Sequence, residues 1–169
     1  MTRRLVLLRH AKSAWPSGVP DHDRPLAGRG RRDALAVGKW FAGEGPLPDF
    51  VLCSDALRTR HTWEIAGAAL ASPPRVSLDP RLYGATAQLV LALARDSGAG
   101  VGTLLVIGHE PTMSSTAMLL AGPGSDGTAL ERLQVKFPTS GIAVLRFDGS
   151  WRDLAAGHAV LEAFAVPRG

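Results

Sequence analysis

The sequence predicts an α/β fold in which a mainly parallel sheet carries helices on both faces. Short, almost wholly apolar runs, of the kind that strands buried on both faces use, recur at residues 5–8, 50–53 and 103–107. Longer segments with helical periodicity separate these runs, and such an alternation is typical of parallel sheets. The 169 residues suit a single domain, 1–169, and show no internal repeat.

Four elements are predicted in the first part of the chain. The strands follow from the apolar runs, and the first helix follows from residues such as Ala34 and Phe41, which fall on one side at helical spacing. Glycine and proline residues after each helix end it. In chain order these elements are a strand at 5–8, a helix at about 27–42, a strand at 50–53 and a helix at about 56–71.

The second part of the chain continues the same alternation. The run at 103–107 is the clearest strand in the sequence, and Pro111 suits the first turn of the helix after it. Residues 122–127 are predicted to form a loop. The remaining predicted elements are a weak strand near Val76, a helix at 86–97, and two late strands at 141–147 and 158–166, paired as a hairpin around Asp148-Gly149.

The basic charge of the chain is concentrated in its first sixty residues. The net charge is +4, and up to Arg60 eleven Lys and Arg stand against six Asp and Glu. The excess could reflect nucleic-acid binding, solvated helix faces or a pocket for a phosphorylated ligand. Because no basic motif interleaved with aromatic residues accompanies the charge, we expect no nucleic-acid partner.

Composition also predicts a cytoplasmic protein without a membrane segment. No run approaches the roughly 18 apolar residues of a membrane span, and the apolar stretch Leu5–Leu8 is too short for a signal peptide. The one cysteine, Cys53, excludes an intrachain disulfide and is expected to be a small core residue.

Polar groups follow three of the predicted strands at the points where the strands end. Arg9-His10 follows the first, Ser54 to Arg58 the second, and Gly108-His109 the clearest strand. In parallel sheets ligands bind beyond the carboxyl ends of the strands. Two arginines and two histidines would repel one another in an empty site, but they suit a dianionic phosphoryl group.

The chemistry expected of this group is phosphoryl transfer to a histidine. A neutral imidazole attacks phosphorus without an activating base, and neighbouring arginines favour the neutral ring. The transition state spreads negative charge over the phosphoryl oxygens, which arginine stabilises. We therefore interpret His10 as the nucleophile and Arg9 as a residue that holds the phosphoryl group.

Six motifs follow one another along nearly the whole chain: LRHAKSAW, DHDRPLAGRGRRDA, SDALRTRHTWE, LYGAT, VIGHEPTMS and TSGIAVLRFDGSW. Together they resemble the motifs of the histidine phosphatase superfamily, most closely those of its short SixA-type phosphohistidine phosphatase branch. The resemblance implies a three-layer α/β/α sandwich of the phosphoglycerate mutase-like type. It also implies that His10 is phosphorylated, that Arg9, Arg58 and His109 bind phosphate, and that no cofactor is used. The five histidines and Cys53 show no metal-ligand spacing, so no metal is expected.

The chain departs from the wider superfamily pattern at three points. Ala11 replaces the usual glycine after the nucleophile, and His61-Thr62 replaces the usual Gln-Thr. No glutamate lies near Tyr83, where larger members carry a general acid. Asp21 is therefore the main candidate for the general acid, with Asp23 as a second, and Ser13 is a candidate phosphate ligand.

Several functions are compatible with these residues. The short spacing between motifs predicts an open, shallow site, which favours phosphohistidine on a protein as the substrate. A phosphatase of small metabolites is the alternative, since an open site also admits small phosphoesters. A mutase is disfavoured because it needs a closed site, and a non-catalytic phosphate-binding module is disfavoured by the complete set of four polar residues. The sequence gives no signal for the physiological substrate or the oligomeric state.

Overall fold

The computed structural model describes all 169 residues and contains one six-stranded sheet. The strands are β1 (Thr2–Arg9), β2 (Phe50–Cys53), β3 (Arg75–Leu78), β4 (Thr103–Gly108), β5 (Ile142–Asp148) and β6 (Val160–Ala165). The helices are α1 (Gly28–Gly43), α2 (Leu57–Ala68), α3 (Ala87–Arg95), α4 (Thr112–Leu120) and α5 (Gly127–Val135). Short 3-10 turns cover Asp21–Asp23, Pro80–Leu82 and Trp151–Asp153.

The sheet is mostly parallel, as predicted. Its order is β3-β2-β4-β1-β5-β6, and β5 alone runs against the other strands. β1 lies in the centre, where Leu5 pairs with Leu104 of β4 on one side and with Leu145 of β5 on the other. The ends of β1, β2 and β4 therefore meet at one edge of the sheet.

Two hydrophobic clusters cover opposite faces of the sheet and make the fold a three-layer α/β/α sandwich. Leu5 and Leu7 pack into the cluster that contains buried residues of α3, α4 and α5, while Val6 and Leu8 pack into the cluster formed with α1 and α2. Because alternate strand residues face opposite layers, all four must be apolar, which explains the uninterrupted run. Cys53 is buried in the second cluster, as expected.

The structure differs from the sequence-based expectation in two places. Helix α5, which begins at Gly127, has no counterpart among the predicted elements. At its N-terminus the Asp126 side chain accepts a hydrogen bond from the backbone N of Ala129 at 2.7 Å. β5 and β6 pair antiparallel, as in the predicted hairpin. They are joined by residues 149–159, however, instead of by a tight turn at Asp148-Gly149. Trp151 in this connection is buried against Phe147, so packing in the core stabilises the longer connection.

None of the helices has the length and apolar character that a membrane-spanning helix requires.

Candidate active site

A cavity of about 220 Å³ lies at the sheet edge where β1, β2 and β4 end. It brings together five of the residues singled out in the sequence: Arg9, His10, Ser13, Arg58 and His109. Two larger cavities, of about 490 and 810 Å³, adjoin it and share Glu110 with it. The full lining of the small cavity is Arg9, His10, Lys12, Ser13, Trp15, Arg24, Arg58, His109, Glu110 and Thr139.

The ring of His10 is held in one tautomer. Its Nδ1 lies 2.7 Å from the Ala11 carbonyl O, and because a carbonyl only accepts, Nδ1 carries the proton and donates. Nε2 therefore keeps its lone pair. The side chain is 7% exposed. Burial lowers the pKa of His10 to about 3, with repulsion from His109 and Arg58 adding to the effect and the Ala11 hydrogen bond opposing it. At neutral pH His10 is a neutral, oriented base.

Arg9 and Arg58 enter the cavity wall from different elements. The Arg9 guanidinium donates from Nη1 to the Phe137 carbonyl O at 2.9 Å, and its buried Nε has no acceptor. Arg58, in the first turn of α2, donates from Nη1 and Nη2 to the backbone O and the carboxylate of Asp21, at 2.7 and 3.1 Å. Its Nε is likewise buried without an acceptor.

His109 faces His10 across the cavity, with ring centroids 5.3 Å apart. Its Nε2 is hydrogen-bonded to the Ser54 hydroxyl at 2.8 Å, and its Nδ1 is buried without a partner. Burial, together with repulsion from Arg58, lowers the pKa of His109 to about 4. Both cavity histidines are therefore neutral at pH 7.

Three of the residues that line the cavity, Arg9, Arg58 and His109, thus each carry a buried nitrogen that no protein atom satisfies. A buried donor without an acceptor costs about 1–3 kcal/mol, and such groups in a native protein need an explanation. A tetrahedral anion among these side chains would accept from them and would compensate the positive charge of the two guanidinium groups.

Asp21 lies behind Arg58 and does not line the cavity. Its carboxylate accepts from the Tyr83 hydroxyl, from Arg24 at 2.8 Å and from Arg58 at 3.1 Å. The Tyr83 hydrogen bond, followed by that from Arg24, holds the pKa of Asp21 well below its usual range. This low pKa and the contact with Arg58 favour a different hypothesis from general-acid catalysis. We infer that Asp21 is a positioning residue that fixes the Arg58 guanidinium, and its role as general acid stays a prediction to be tested.

We predict that Asp21→Asn lowers kcat/KM by about tenfold on every substrate, whatever its leaving group, because a displaced guanidinium weakens charge stabilisation throughout the reaction. Paired aryl and alkyl phosphates provide the measurement. Asp23→Asn is the matched control, since the Asp23 carboxylate is exposed and lies 3.7 Å from His22. A loss confined to alkyl phosphates would restore Asp21 as the general acid.

The other sequence candidates divide between the cavity and its surroundings. Ser13 lines the cavity, and its buried hydroxyl accepts from Arg24. Asp23 and His61 do not line it. Thr62, beside His61, accepts from the Ala11 backbone N at 3.0 Å and donates to the Arg58 carbonyl O at 2.7 Å. Thr62 thereby ties the loop after His10 to the helix that carries Arg58.

Sequence reasoning missed several lining residues. Glu110 directly follows His109, a position that should have marked it; its carboxylate accepts from the Ser114 backbone N and hydroxyl, both at 2.7 Å. Lys12, Trp15 and Thr139 lie in loops without a distinguishing pattern. No group of three or more His, Cys, Asp or Glu side chains is arranged to hold a metal ion.

Comparisons with known proteins agree with this fold and cavity. A family model, described as histidine phosphatase superfamily (branch 1), matches residues 5–84. An uncharacterized protein of Mycobacterium tuberculosis is 49% identical over 162 residues, covering 95% of this chain and all of the relative. A SixA structure from Nakamurella multipartitia, provisionally described as a phosphohistidine phosphatase, is 38% identical with a TM-score of 0.86. The match covers 99% of this chain and 97% of that one.

A second structure is that of the protein histidine phosphatase SixA complexed with tungstate. It is 26% identical, has a TM-score of 0.78, and the match covers 97% of both chains. The chain belongs to the histidine phosphatase superfamily, in its SixA-type branch, and has the phosphoglycerate mutase-like fold of that superfamily.

Proposed function

We propose that this protein is a phosphatase that removes the phosphoryl group from phosphohistidine on a protein, through a phosphorylated His10. One observation carries the proposal: the unprotonated Nε2 of His10 belongs to a cavity of which three lining residues each carry an unsatisfied nitrogen. A nucleophile beside an anion-binding wall is the arrangement that phosphoryl transfer requires. The tungstate bound by a SixA relative, a tetrahedral oxyanion, supports an anion site in this fold.

In the first step the lone pair of His10 Nε2 attacks phosphorus, and the bond between phosphorus and the substrate's ring nitrogen breaks. When the substrate ring is protonated on its other nitrogen, it leaves as neutral imidazole and takes no proton from the enzyme. Nδ1 of His10 keeps its proton, and the Ala11 carbonyl O stabilises the positive charge that the phosphorylated ring acquires.

In the second step water attacks the phosphorus of phosphorylated His10. The bond to Nε2 breaks, its electron pair returns to that nitrogen, and both protons of the water leave on dihydrogen phosphate. Arg9, Arg58 and His109 surround the phosphoryl group in both steps, and the two guanidinium groups stabilise the charge of its equatorial oxygens. The cycle ends with His10 in its starting tautomer.

The state of the nearby carboxylates supports a substrate with a good leaving group. Asp21 has a lowered pKa and does not line the cavity, so it is poorly suited to supply a proton. A phosphohistidine ring needs none, whereas an alkoxide does. Lys12 and Trp15 are exposed at the cavity, so a residue on another protein can reach it. The similarity to SixA proteins adds to this support.

Glu110 favours a second candidate, a phosphatase of small phosphomonoesters. Its carboxylate lines the cavity and both adjoining ones, where a protonated glutamate would serve an alcohol leaving group. In that case the substrate would be a small phosphoester and the adjoining cavities would hold its organic part.

A panel of substrates separates the two candidates. It contains a phosphohistidine-bearing protein, phosphohistidine, aryl phosphates and alkyl phosphates, compared by kcat/KM with the same enzyme. We expect phosphohistidine to be hydrolysed at least tenfold faster than any alkyl phosphate. Faster hydrolysis of an alkyl phosphate, lost in Glu110→Gln, would establish the small-ester phosphatase instead.

A further inference from the structure

Trp15 is the most exposed of the four tryptophans, yet it lines the cavity that contains His10. Its side chain is 75% exposed, while Trp63 and Trp151 are 6% and 2% exposed and Trp40 is half-buried. An exposed indole contributes little to folding, because its surface stays in water. The position beside the nucleophile therefore calls for another explanation.

The indole is held in place by Arg24. The guanidinium carbon of Arg24 lies 3.2 Å from the centroid of the Trp15 ring, which is close stacking of a cation on an aromatic face. Arg24 is only 7% exposed, and its three guanidinium nitrogens donate to the Ala14 carbonyl O, the Asp21 carboxylate and the Ser13 hydroxyl. A buried guanidinium whose three nitrogens each donate a hydrogen bond is a rigid support for one face of the ring.

The backbone that precedes Trp15 is fixed as well. The Ala14 backbone N donates to the Pro25 carbonyl O at 2.8 Å, and the Ala27 backbone N donates to the Lys12 carbonyl O at 2.9 Å. These bonds close the loop between β1 and α1 around Arg24. Contacts within the chain therefore hold the indole, and such preorganisation lowers the entropic cost of stacking a ring on it.

We propose that Trp15, supported by Arg24, is a platform that binds an aromatic ring attached to the phosphoryl group. The face opposite Arg24 is open, and the same cavity contains the nucleophile, so a ring bonded to a phosphoryl group beside His10 can lie against the indole. A planar ring stacks on tryptophan, and a protonated imidazole ring gains a cation–π attraction in addition. That this ring is the imidazole of phosphohistidine rests on the proposed function. That Trp15 binds an aromatic ring does not.

The test uses two inert phosphonates that differ only in the ring. Phenylphosphonate and methylphosphonate carry the same anionic group, so the ratio of their dissociation constants isolates the contribution of the ring. We expect the wild type to bind phenylphosphonate at least fivefold more tightly than methylphosphonate, with quenching of tryptophan fluorescence by the phenyl compound. In Trp15→Ala this ratio falls to near one, and in Trp15→Phe most of the preference remains.

Leu47→Ala is the matched control, because Leu47 is another exposed apolar side chain and does not line the cavity. An unchanged ratio in Trp15→Ala would overturn the platform, as would an equal loss in Leu47→Ala. Because phosphonates are not hydrolysed, these outcomes do not depend on the reaction. If the wild type failed to hydrolyse phosphohistidine while the ratio behaved as expected, the proposed substrate would be wrong and the platform would stand.

Discussion

Replacing His10 with alanine is expected to lower turnover by at least about a thousandfold, because it removes the group that we propose to form the covalent intermediate. In the wild type, rapid acid-free quenching with a ³²P-labelled aryl phosphate should trap a phosphoenzyme that is labile in acid and stable in base. The label should map to the peptide that contains His10. His61→Ala is the matched control, since His61 lies outside the cavity. Normal turnover in His10→Ala would refute the assignment.

Burial of His10 also predicts that its ring stays neutral at mildly acidic pH. With a pKa of about 3, His10 is about 99% neutral at pH 5, whereas an ordinary histidine would be about 3% neutral there. The imidazole NMR signal of His10, identified through His10→Ala, should therefore not titrate between pH 8 and 5. The unfolded chain binds a proton at this residue near pH 6.5, so the free energy of unfolding should decrease as the pH falls below that value. A titration near pH 6.5 in the folded protein would contradict the burial.

Replacing Arg58 with alanine is expected to lower kcat/KM by roughly a hundredfold, or about 3 kcal/mol of transition-state stabilisation. Its guanidinium lines the cavity, and its two terminal nitrogens are already held by Asp21. The group is therefore fixed before the substrate arrives. The melting temperature of Arg58→Ala should change little, because Asp21 keeps its hydrogen bonds to Arg24 and Tyr83.

Two variants make this result specific. Arg60 lies in the same helix as Arg58 but does not line the cavity, and its Nε donates a hydrogen bond to the Asp55 carbonyl O. The Arg60→Ala variant should therefore keep normal kcat/KM. Arg58→Lys keeps the charge but loses the paired donors, so it should recover only part of the activity. A reduced melting temperature with unchanged kcat/KM in Arg58→Ala would make Arg58 a structural residue.

The fold could be predicted from sequence wherever burial left a simple pattern. β1 is covered on both faces, so its four central residues are all apolar and the strand is visible without any alignment. Arg9, His10, Arg58 and His109 were predicted to lie together for a related reason: each lies at or just beyond the end of a strand, and the sheet brings these ends to one edge. Helix α5 buries only Ala129 and Leu133, a pattern too sparse to predict a helix.

The role of Asp21 could not be derived from its neighbours in sequence. Its ionised state depends on Arg24, on Arg58 thirty-seven positions away and on Tyr83 sixty-two positions away. The platform formed by Trp15 was hidden in the same way, because only the folded loop places the indole on Arg24. Properties that arise from several distant contacts at once leave no periodic signal in the chain.

The central position of β1 has a consequence for synthesis on the ribosome. Leu5 pairs with Leu104 and Leu145, so the strand that carries the nucleophile has no partner until about a hundred further residues have been translated. At about 5–20 residues per second this takes roughly 5–20 s. During that interval the apolar run Leu5–Leu8 is unpaired and suited to chaperone binding. Formation of the sheet edge that carries the cavity is thus a late event, which follows translation of β4 and β5.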